Sequence, residues 1–427
     1  MDSRSRAADL LALVPAAAIP FIFLHRDYQV HVSFGPADVF GSDVAIAATL
    51  AAALAAAWLF GLAVLAPARA LWVVAGALLV LFLASCFWTP LDHTTKHVVS
   101  AAKVVEYALL APAVVLLLRN RTQVDRFLAV VVAWSVAATG WGLLQFLGLV
   151  NEFEGKRPGQ REVSFLGNHD FGAFSGAALA VGFAGIALAE RRRLTAVAVA
   201  AGSLGVVLSA SVFVYAGLVL AVVAAAAIGR RAGTLTTRRA LALAALTATI
   251  GAGVFALRAS DVTDFLSFLG EPSVETSRDE IQTGSQRTML AYIGLRIWRD
   301  HPVLGVGYGR SSDRYQPYLE AAKRRFPDQP PEAFPSPEHR WGVQNFWIQL
   351  LADVGVVGLV LAVGTFAVAL GLALRAPPAA LYLGVVAAGW ILIAIGSWNA
   401  FGIVAGIPMQ AVTWFGFGLA AATASVR

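Results

Sequence analysis

The stretch EHRWGVQNFWIQLLADVGVVGLVL, residues 338–361, leads from a polar, histidine-bearing segment directly into a long apolar run. The run continues to residue 374, and a helix needs only about 20 mostly apolar residues to cross a bilayer. The stretch therefore predicts a transmembrane helix. The polar side chains at its entrance make a candidate site at the edge of the bilayer: His339, Arg340, Gln344 and Asn345.

The composition is that of a chain that lies largely in lipid. Hydrophobic residues make up 58% of the 427 residues, charged residues make up 14%, and the mean hydropathy is +0.70. Soluble domains contain about 45–50% apolar and about 25% charged residues. The single cysteine, Cys86, leaves no partner for a disulfide within the chain. The sequence therefore predicts an all-α polytopic membrane protein.

Twelve segments are long and apolar enough to be spans. The first follows a basic N-terminus like that of a signal peptide, but no small-residue cleavage site comes after it, so we expect it to be retained. The predicted spans are 8–24, 44–66, 70–87, 98–118, 124–147, 171–189, 194–209, 211–228, 238–257, 346–374, 379–397 and 404–424.

The basic residues test this number of spans, because cytoplasmic loops are enriched in Lys and Arg. If the N-terminus is cytoplasmic, arginines crowd the short inside loops, and the outside loops carry a cluster of cations only at EGKRPGQR, residues 154–161. Miscounting one span would reverse every later loop. We therefore expect both termini in the cytoplasm, and no nucleic-acid partner, since the excess of basic residues sits in topology-setting loops.

One long polar segment, 258–345, separates the ninth and tenth spans. RTMLAYIGLRIWRD (287–300) has helical spacing of its apolar residues and predicts an amphipathic helix. SDRYQPYLEAAKRRF (312–326) predicts a second helix, and a proline-rich return to the membrane follows. The chain therefore divides into nine spans, a helical cap and three more spans, with bounds 1–257, 258–345 and 346–427.

Two arginines on the cap side of the bilayer are candidates for binding an anion. Arg161 precedes a span at the depth of lipid headgroups, and arginine binds phosphate oxygens in a planar, two-pronged geometry. Arg287 begins the amphipathic helix, where the helix dipole disfavours a cation. The alternatives are a solvated loop for Arg161 and an ion pair for Arg287 with Asp279 or Glu280. Supporting candidates near Arg161 are Arg157, Asn168 and His169.

His339 is the candidate general base, since an imidazole with the ordinary pKa of about 6.5 can take a proton from a hydroxyl near neutral pH. The neighbouring Arg340 would disfavour the charged imidazole. A purely structural histidine is the alternative. Metal-ligand motifs of the HExxH or CxxC kind, an exterior Asp-x-Asp pair, a P-loop and a dinucleotide fingerprint are all missing from the sequence. We therefore expect neither a metal nor another cofactor.

Three stretches together resemble the O-antigen ligase and polymerase-like superfamily. RTMLAYIGLRIWRDHPVLGVGYG (287–309) resembles its segment of an arginine followed by Pro and spaced glycines. QNFWIQLLADVGVVG (344–358) resembles its segment of His-Asn, nine residues and Gly-x-x-Gly. REVSFLGNHDFGAF (161–174) resembles the segment of an arginine followed by Phe-Gly-Asn and a span.

This resemblance implies a membrane-embedded glycosyltransferase of the GT-C type. In the ligase branch, polysaccharide on undecaprenyl diphosphate is transferred to a sugar hydroxyl of lipid A-core at the periplasmic face of the bacterial inner membrane, among membrane lipids. By motif position, Arg161 and Arg287 would hold the diphosphate, and the motif histidine is the family's base. Here Gln344 occupies that position, and His339 is the nearest imidazole, five residues upstream. The implied reaction is metal-independent and inverts the anomeric centre.

Alternatives remain open within and outside this superfamily. An O-antigen polymerase and a protein O-oligosaccharyltransferase would carry the same motifs, which do not encode the acceptor. A transporter of lipid-linked oligosaccharides would need charged residues along a midplane path, and only Lys103 and Glu106 offer any. In a non-catalytic scaffold, Arg161, Arg287 and His339 would be replaceable.

Overall fold

The computed structural model describes residues 3–34, 37–88, 94–151, 153–154, 157–259, 283–327, 329–338, 340, 342–403 and 406–425. Among these residues, eleven helices are long and apolar enough to cross a membrane. The twelfth predicted span is a shorter apolar helix, Ile407–Ala422, whose 16 residues extend about 24 Å at 1.5 Å per residue. The predicted all-α, multi-pass architecture is confirmed.

The α-helices are named here in chain order. Ten described α-helices precede the cap: α1 (Ser3–Ile22), α2 (Gly41–Phe60), α3 (Arg69–Ser85), α4 (Thr94–Ala108), α5 (Leu110–Leu117), α6 (Arg121–Phe146), α7 (Asn168–Leu188), α8 (Arg192–Ser209), α9 (Val212–Arg231) and α10 (Thr237–Ala256). The cap holds α11 (Thr283–Asp300) and α12 (Gln316–Arg325), and the chain continues with α13 (Phe346–Leu374), α14 (Leu381–Ser397) and α15 (Ile407–Ala422).

The loop between α1 and α2 contains a β-hairpin that hydropathy did not predict. Strands β1 (His31–Phe34) and β2 (Ala37–Phe40) pair antiparallel, with Val32 opposite Val39. Strands of four residues are too short to be recognised from the sequence, because an alternation of apolar and polar residues over so few positions is also common by chance. The hairpin is a small addition to a helical protein.

Helices α7 and α14 form the centre of the membrane bundle. Residues 170–185 of α7 and 382–394 of α14 are buried throughout. Glycines let neighbouring backbones approach them: a Cβ on Gly202 of α8 would come within 2.9 Å of the Ser175 carbonyl oxygen on α7. Small residues serve this purpose in membrane bundles because lipid provides no hydrophobic drive for helix association. The central helices therefore hold a fixed position for the residues at their ends.

The cap has its own hydrophobic core. The predicted face of α11 is confirmed, since Met289, Ile293 and Ile297 are buried at 2% exposure or less and pack with residues of α12 and with Ala352 of α13. Helix α12 begins at Gln316 rather than at residue 312, because Pro317 fits only the first turn of a helix. The part of the cap formed by residues 260–282 lies outside the described residues.

The loop after α11 is bound to a kink in α13. Gly355 interrupts the helix with φ 67° and ψ −165°, a conformation that essentially only glycine adopts. The freed backbone pairs with the loop: the Val356 N–H donates to the Pro302 carbonyl at 2.9 Å, and the Gly307 N–H donates to the Asp353 carbonyl at 2.7 Å. These bonds fix the cap on the span that follows it. The segment with spaced glycines, 302–309, and the Gly-x-x-Gly segment, 355–358, therefore lie against each other in the structure.

Candidate functional site

Arg287 joins three separate segments of the chain. Its Nε donates a hydrogen bond to Oε1 of Gln344 at 3.1 Å, and its Nη2 lies 2.9 Å from Nε2 of His169. Arg287 is on α11, Gln344 immediately precedes α13, and His169 is in the first turn of α7. The guanidinium is therefore held where the cap meets two spans.

The surroundings of Arg287 are strongly cationic. Burial, followed by the like charges of Arg161 and Arg258, lowers its pKa from the ordinary 12.5 to about 10. The group still carries its charge at neutral pH, and Arg161 and Arg258 each act on it as a like charge. We call Arg161, Arg258 and Arg287 the arginine cluster. A bound anion would relieve this repulsion.

Arg258 is a member of the cluster that the sequence reasoning missed. It lies just after the end of α10, where the backbone N–H of Arg258 still bonds to the Phe255 carbonyl at 3.2 Å. The signal was present in the sequence, because the positive-inside rule predicts few arginines at the outer end of the ninth span.

Gln344 and Asn345 have distinct local roles. The amide oxygen of Gln344 accepts from Arg287, and this contact needs only a lone pair, so glutamine can fill the position of the motif histidine. Asn345 is the N-cap of α13: its Oδ1 accepts from the Ile348 N–H at 3.1 Å. Its Nδ2 also donates to Oδ1 of Asn399 at 3.3 Å, which connects the start of α13 to the end of α14.

The turn before α7 depends on Gly167. Its φ of 103° is strained for other residues, and a Cβ there would lie 2.9 Å from the His25 ring. Helix α7 then begins at Asn168, whose side chain lies outside the described residues. His169 follows, with its ring edge against Phe401 at a centroid distance of 5.5 Å. Because the arginine can only donate, Nε2 of His169 acts as acceptor, and its lone pair is already engaged.

The remaining predicted residues are placed differently. Arg340 donates to Oδ1 of Asp313 at 2.9 Å, and Oδ2 of Asp313 lies 2.9 Å from Nε2 of His97. Burial raises the pKa of Asp313, but these two hydrogen bonds outweigh it and hold the value below the ordinary range. Arg157 is exposed in the loop before α7. His339, the predicted base, lies outside the described residues, so its role stays a prediction.

The described side chains that contact Arg287 or lower its pKa are two arginines and the hydrogen-bonding groups of Gln344 and His169. Within the described residues, no cluster of three or more His, Cys, Asp or Glu side chains could hold a metal ion. What the arrangement offers chemically is a partly buried, fixed set of donors for phosphate-like oxygens.

A family model described as O-antigen ligase matches residues 196–363. The match runs from α8 into α13 and contains Arg258, Arg287, Gln344 and the kink at Gly355, while Arg161 and His169 precede it. No curated protein matches the chain. Over residues 196–363 the chain is thus similar to the O-antigen ligase family.

Proposed function

We propose that the protein transfers a glycan from undecaprenyl diphosphate to a sugar hydroxyl of lipid A-core, and that the arginine cluster holds the diphosphate. The observation that carries the proposal is the convergence of Arg161 and Arg258 on a half-buried Arg287. A partly desolvated guanidinium that also meets the like charges of Arg161 and Arg258 gains when an anion binds beside it. A diphosphate is an anion of the right charge and hydrogen-bonding geometry.

The cluster suits the leaving group of the reaction. When the bond from the anomeric carbon to the diphosphate oxygen breaks, negative charge develops on that oxygen. Fixed cations aimed at developing charge lower the barrier, and in a site shielded from water they act more strongly than in solution. Gln344 and His169 hold Arg287 by its Nε and Nη2, so its orientation is set before the substrate arrives.

The acceptor oxygen attacks the anomeric carbon from the side opposite the diphosphate, which inverts the configuration. It must lose its proton as the new bond forms, and we propose His339 as the base. A positioned base of this kind contributes about 10²–10⁴-fold to the rate. Asn345, next to Gln344, acts through the backbone by capping α13 and so fixes the entrance of that span.

We propose that the cap face is periplasmic, that the membrane is the bacterial inner membrane and that both termini are cytoplasmic. The distribution of arginines between short loops supports this orientation. A transporter is less well supported, because Lys103 is not available for a path. Its Nζ forms an ion pair with Oδ2 of Asp43 at 3.3 Å and donates to the Asp38 carbonyl at 3.0 Å.

The test is transfer by the purified protein from an undecaprenyl-diphosphate-linked glycan to lipid A-core, with EDTA present. We expect activity in the parent and a loss of at least about 100-fold in Arg287→Ala and Arg258→Ala, since each removes a charged contact that strengthens in the transition state. Arg299→Ala is the matched control, because Arg299 is exposed near the other end of the same helix. It should transfer like the parent.

The outcomes separate the branches of the family. Extension of the glycan on its own carrier, with no product on lipid A-core, would make the protein a polymerase. A parent that binds donor but joins it to neither acceptor contradicts a glycosyltransferase of either kind. If Arg258→Ala and Arg287→Ala stay active, the diphosphate is held elsewhere. His339→Ala is assayed in the same way, and if it stays active while the two arginine variants do not, the base assignment is wrong and the arginine roles stand.

A further inference from the structure

A cleft of about 460 Å³ opens on the cap, away from the arginine cluster. It lies where three segments meet: Trp88 after α3, the loop after α11, and the start of α12. Its volume is within the range of about 300–1,000 Å³ that is usual for small-ligand sites. From Arg287 to His301 the chain advances 14 residues along α11, or about 21 Å at 1.5 Å per residue. The cleft is therefore distinct from the proposed diphosphate site.

The walls of the cleft are fixed by hydrogen bonds. The Val306 N–H donates to the Ala352 carbonyl of α13 at 3.0 Å. The part of the lining that comes from the loop after α11 is therefore held against α13. The hydroxyl of Tyr318 donates to Oδ2 of Asp300 at 2.8 Å. Burial and this carboxylate raise the pKa of Tyr318 to about 12, so the hydroxyl keeps its proton. A ligand would meet a site that is already formed.

The lining combines aromatic faces with one guanidinium and one imidazole. Trp88 and Tyr318 are half-buried and present rings, and Pro317 adds an apolar surface. Arg314 and His301 are exposed, and neither side chain forms a hydrogen bond or ion pair with any residue that the structure describes. Rings with an apolar face pack on the C–H faces of sugars, and a guanidinium binds carboxylate or phosphate in a two-pronged geometry.

We infer that this cleft is a second glycan-binding subsite, which takes a saccharide unit that bears a phosphate or a carboxylate. The inference rests on the proposed function for its substrate class, because a transferase of this kind must hold glycan on both sides of the bond that it forms. Aromatic rings without a cation would suit a neutral sugar, and Arg314, whose guanidinium pairs with no described residue, therefore selects the anionic one. The unit belongs either to the donor glycan or to the core oligosaccharide of the acceptor.

The experiment measures binding and needs no turnover. The full-length protein in detergent is titrated with two lipid-free probes, a phosphorylated core oligosaccharide and an acidic glycan released from the carrier, and affinity is read by calorimetry. We expect one probe to bind the parent and identify the source. Trp88→Ala and Arg314→Gln should each weaken binding at least about tenfold, and removal of the acidic groups from the probe should do the same.

Two control variants give the result its meaning. Arg324→Gln removes an exposed charge from the same helix, α12, outside the cleft, and should bind like the parent. Arg287→Ala should also bind like the parent, since it belongs to the other site. The inference is overturned if neither probe binds, or if binding is lost in Arg287→Ala but kept in Trp88→Ala and Arg314→Gln. Thermal unfolding of each variant shows whether a loss of binding reflects misfolding. If Trp88→Ala is misfolded, the binding of Arg314→Gln decides the matter, because Arg314 is exposed and its replacement should not disturb the fold.

This design separates the subsite from the proposed function. A parent that transfers glycan while the cleft variants bind normally keeps its function and loses the subsite. A parent that binds through Trp88 and Arg314 but transfers nothing keeps the subsite and loses the function.

Discussion

Replacing Gly355 by alanine should detach the cap from the membrane bundle. At φ 67° and ψ −165° a residue with a Cβ is strained by about 1–3 kcal/mol. The added Cβ would lie 2.1 Å from the carbonyl oxygen and 2.3 Å from the carbonyl carbon of Val303, so the loop must move away. That movement breaks the bonds from Val356 to Pro302 and from Gly307 to Asp353, each worth about 0.5–1.5 kcal/mol. The expected loss is about 2–6 kcal/mol in total.

The assay is thermal unfolding in detergent, combined with limited proteolysis of the cap. Gly355→Ala should unfold at a lower temperature, and its cap should be cut faster than that of the parent. Gly371→Ala is the matched control, because Gly371 is in the same helix and nothing lies within 4 Å of its added Cβ. Alanine there should be neutral or should stabilise by up to about 1 kcal/mol. If Gly355→Ala is as stable and as protease-resistant as Gly371→Ala, the kink does not hold the cap.

Three further predictions concern the polar contacts of the site and cap. Gln344→Glu keeps an acceptor for Arg287 but adds a negative charge that would compete with the proposed diphosphate, so KM for the donor should rise about tenfold or more. An unchanged KM would contradict the proposed role of Arg287. Asp313 has a pKa below its unfolded value of about 3.9, so its stabilisation is present above that value and is lost as pH falls through the lower native pKa. Asp313→Asn should therefore unfold more easily than the parent at neutral pH, with a difference that shrinks below about pH 4, and a gap independent of pH would refute this. Asn345→Ala removes the cap of α13 and should cost about 0.5–2 kcal/mol, measured by thermal unfolding against Asn345→Asp, which keeps the acceptor.

The spans could be predicted from sequence because lipid makes local composition decisive. A bilayer core offers no water for backbone groups, so a run of about 20 apolar residues has one stable structure, the helix. The apolar face of α11 could be predicted for a similar local reason, the spacing of Met289, Ile293 and Ile297. The hairpin at 31–40 and the late start of α12 were missed because each depends on one or two residues rather than on a repeated pattern.

The site could be predicted only in part. The motif resemblance selected Arg161 and Arg287, and the structure brings Arg161 close enough to lower the pKa of Arg287. The partners of Arg287 could not be deduced, since Gln344 is 57 residues away in the chain and His169 is 118 residues away. Arg340 pairs with Asp313, a contact that sequence neighbourhood with His339 did not suggest.

The arginine cluster is supported by helices that contact their surroundings to very different degrees. Helix α7, which carries His169, is enclosed by protein along residues 170–185. Helix α10, which ends just before Arg258, is buried only along a narrow stripe formed by Leu243, Thr247, Ile250, Gly251 and Val254. Hydrophobic mismatch tilts the helices that face lipid and leaves enclosed ones in place. The thickness of the bilayer would therefore shift Arg258 relative to His169, and acyl-chain length becomes a variable that adjusts the geometry of the cluster.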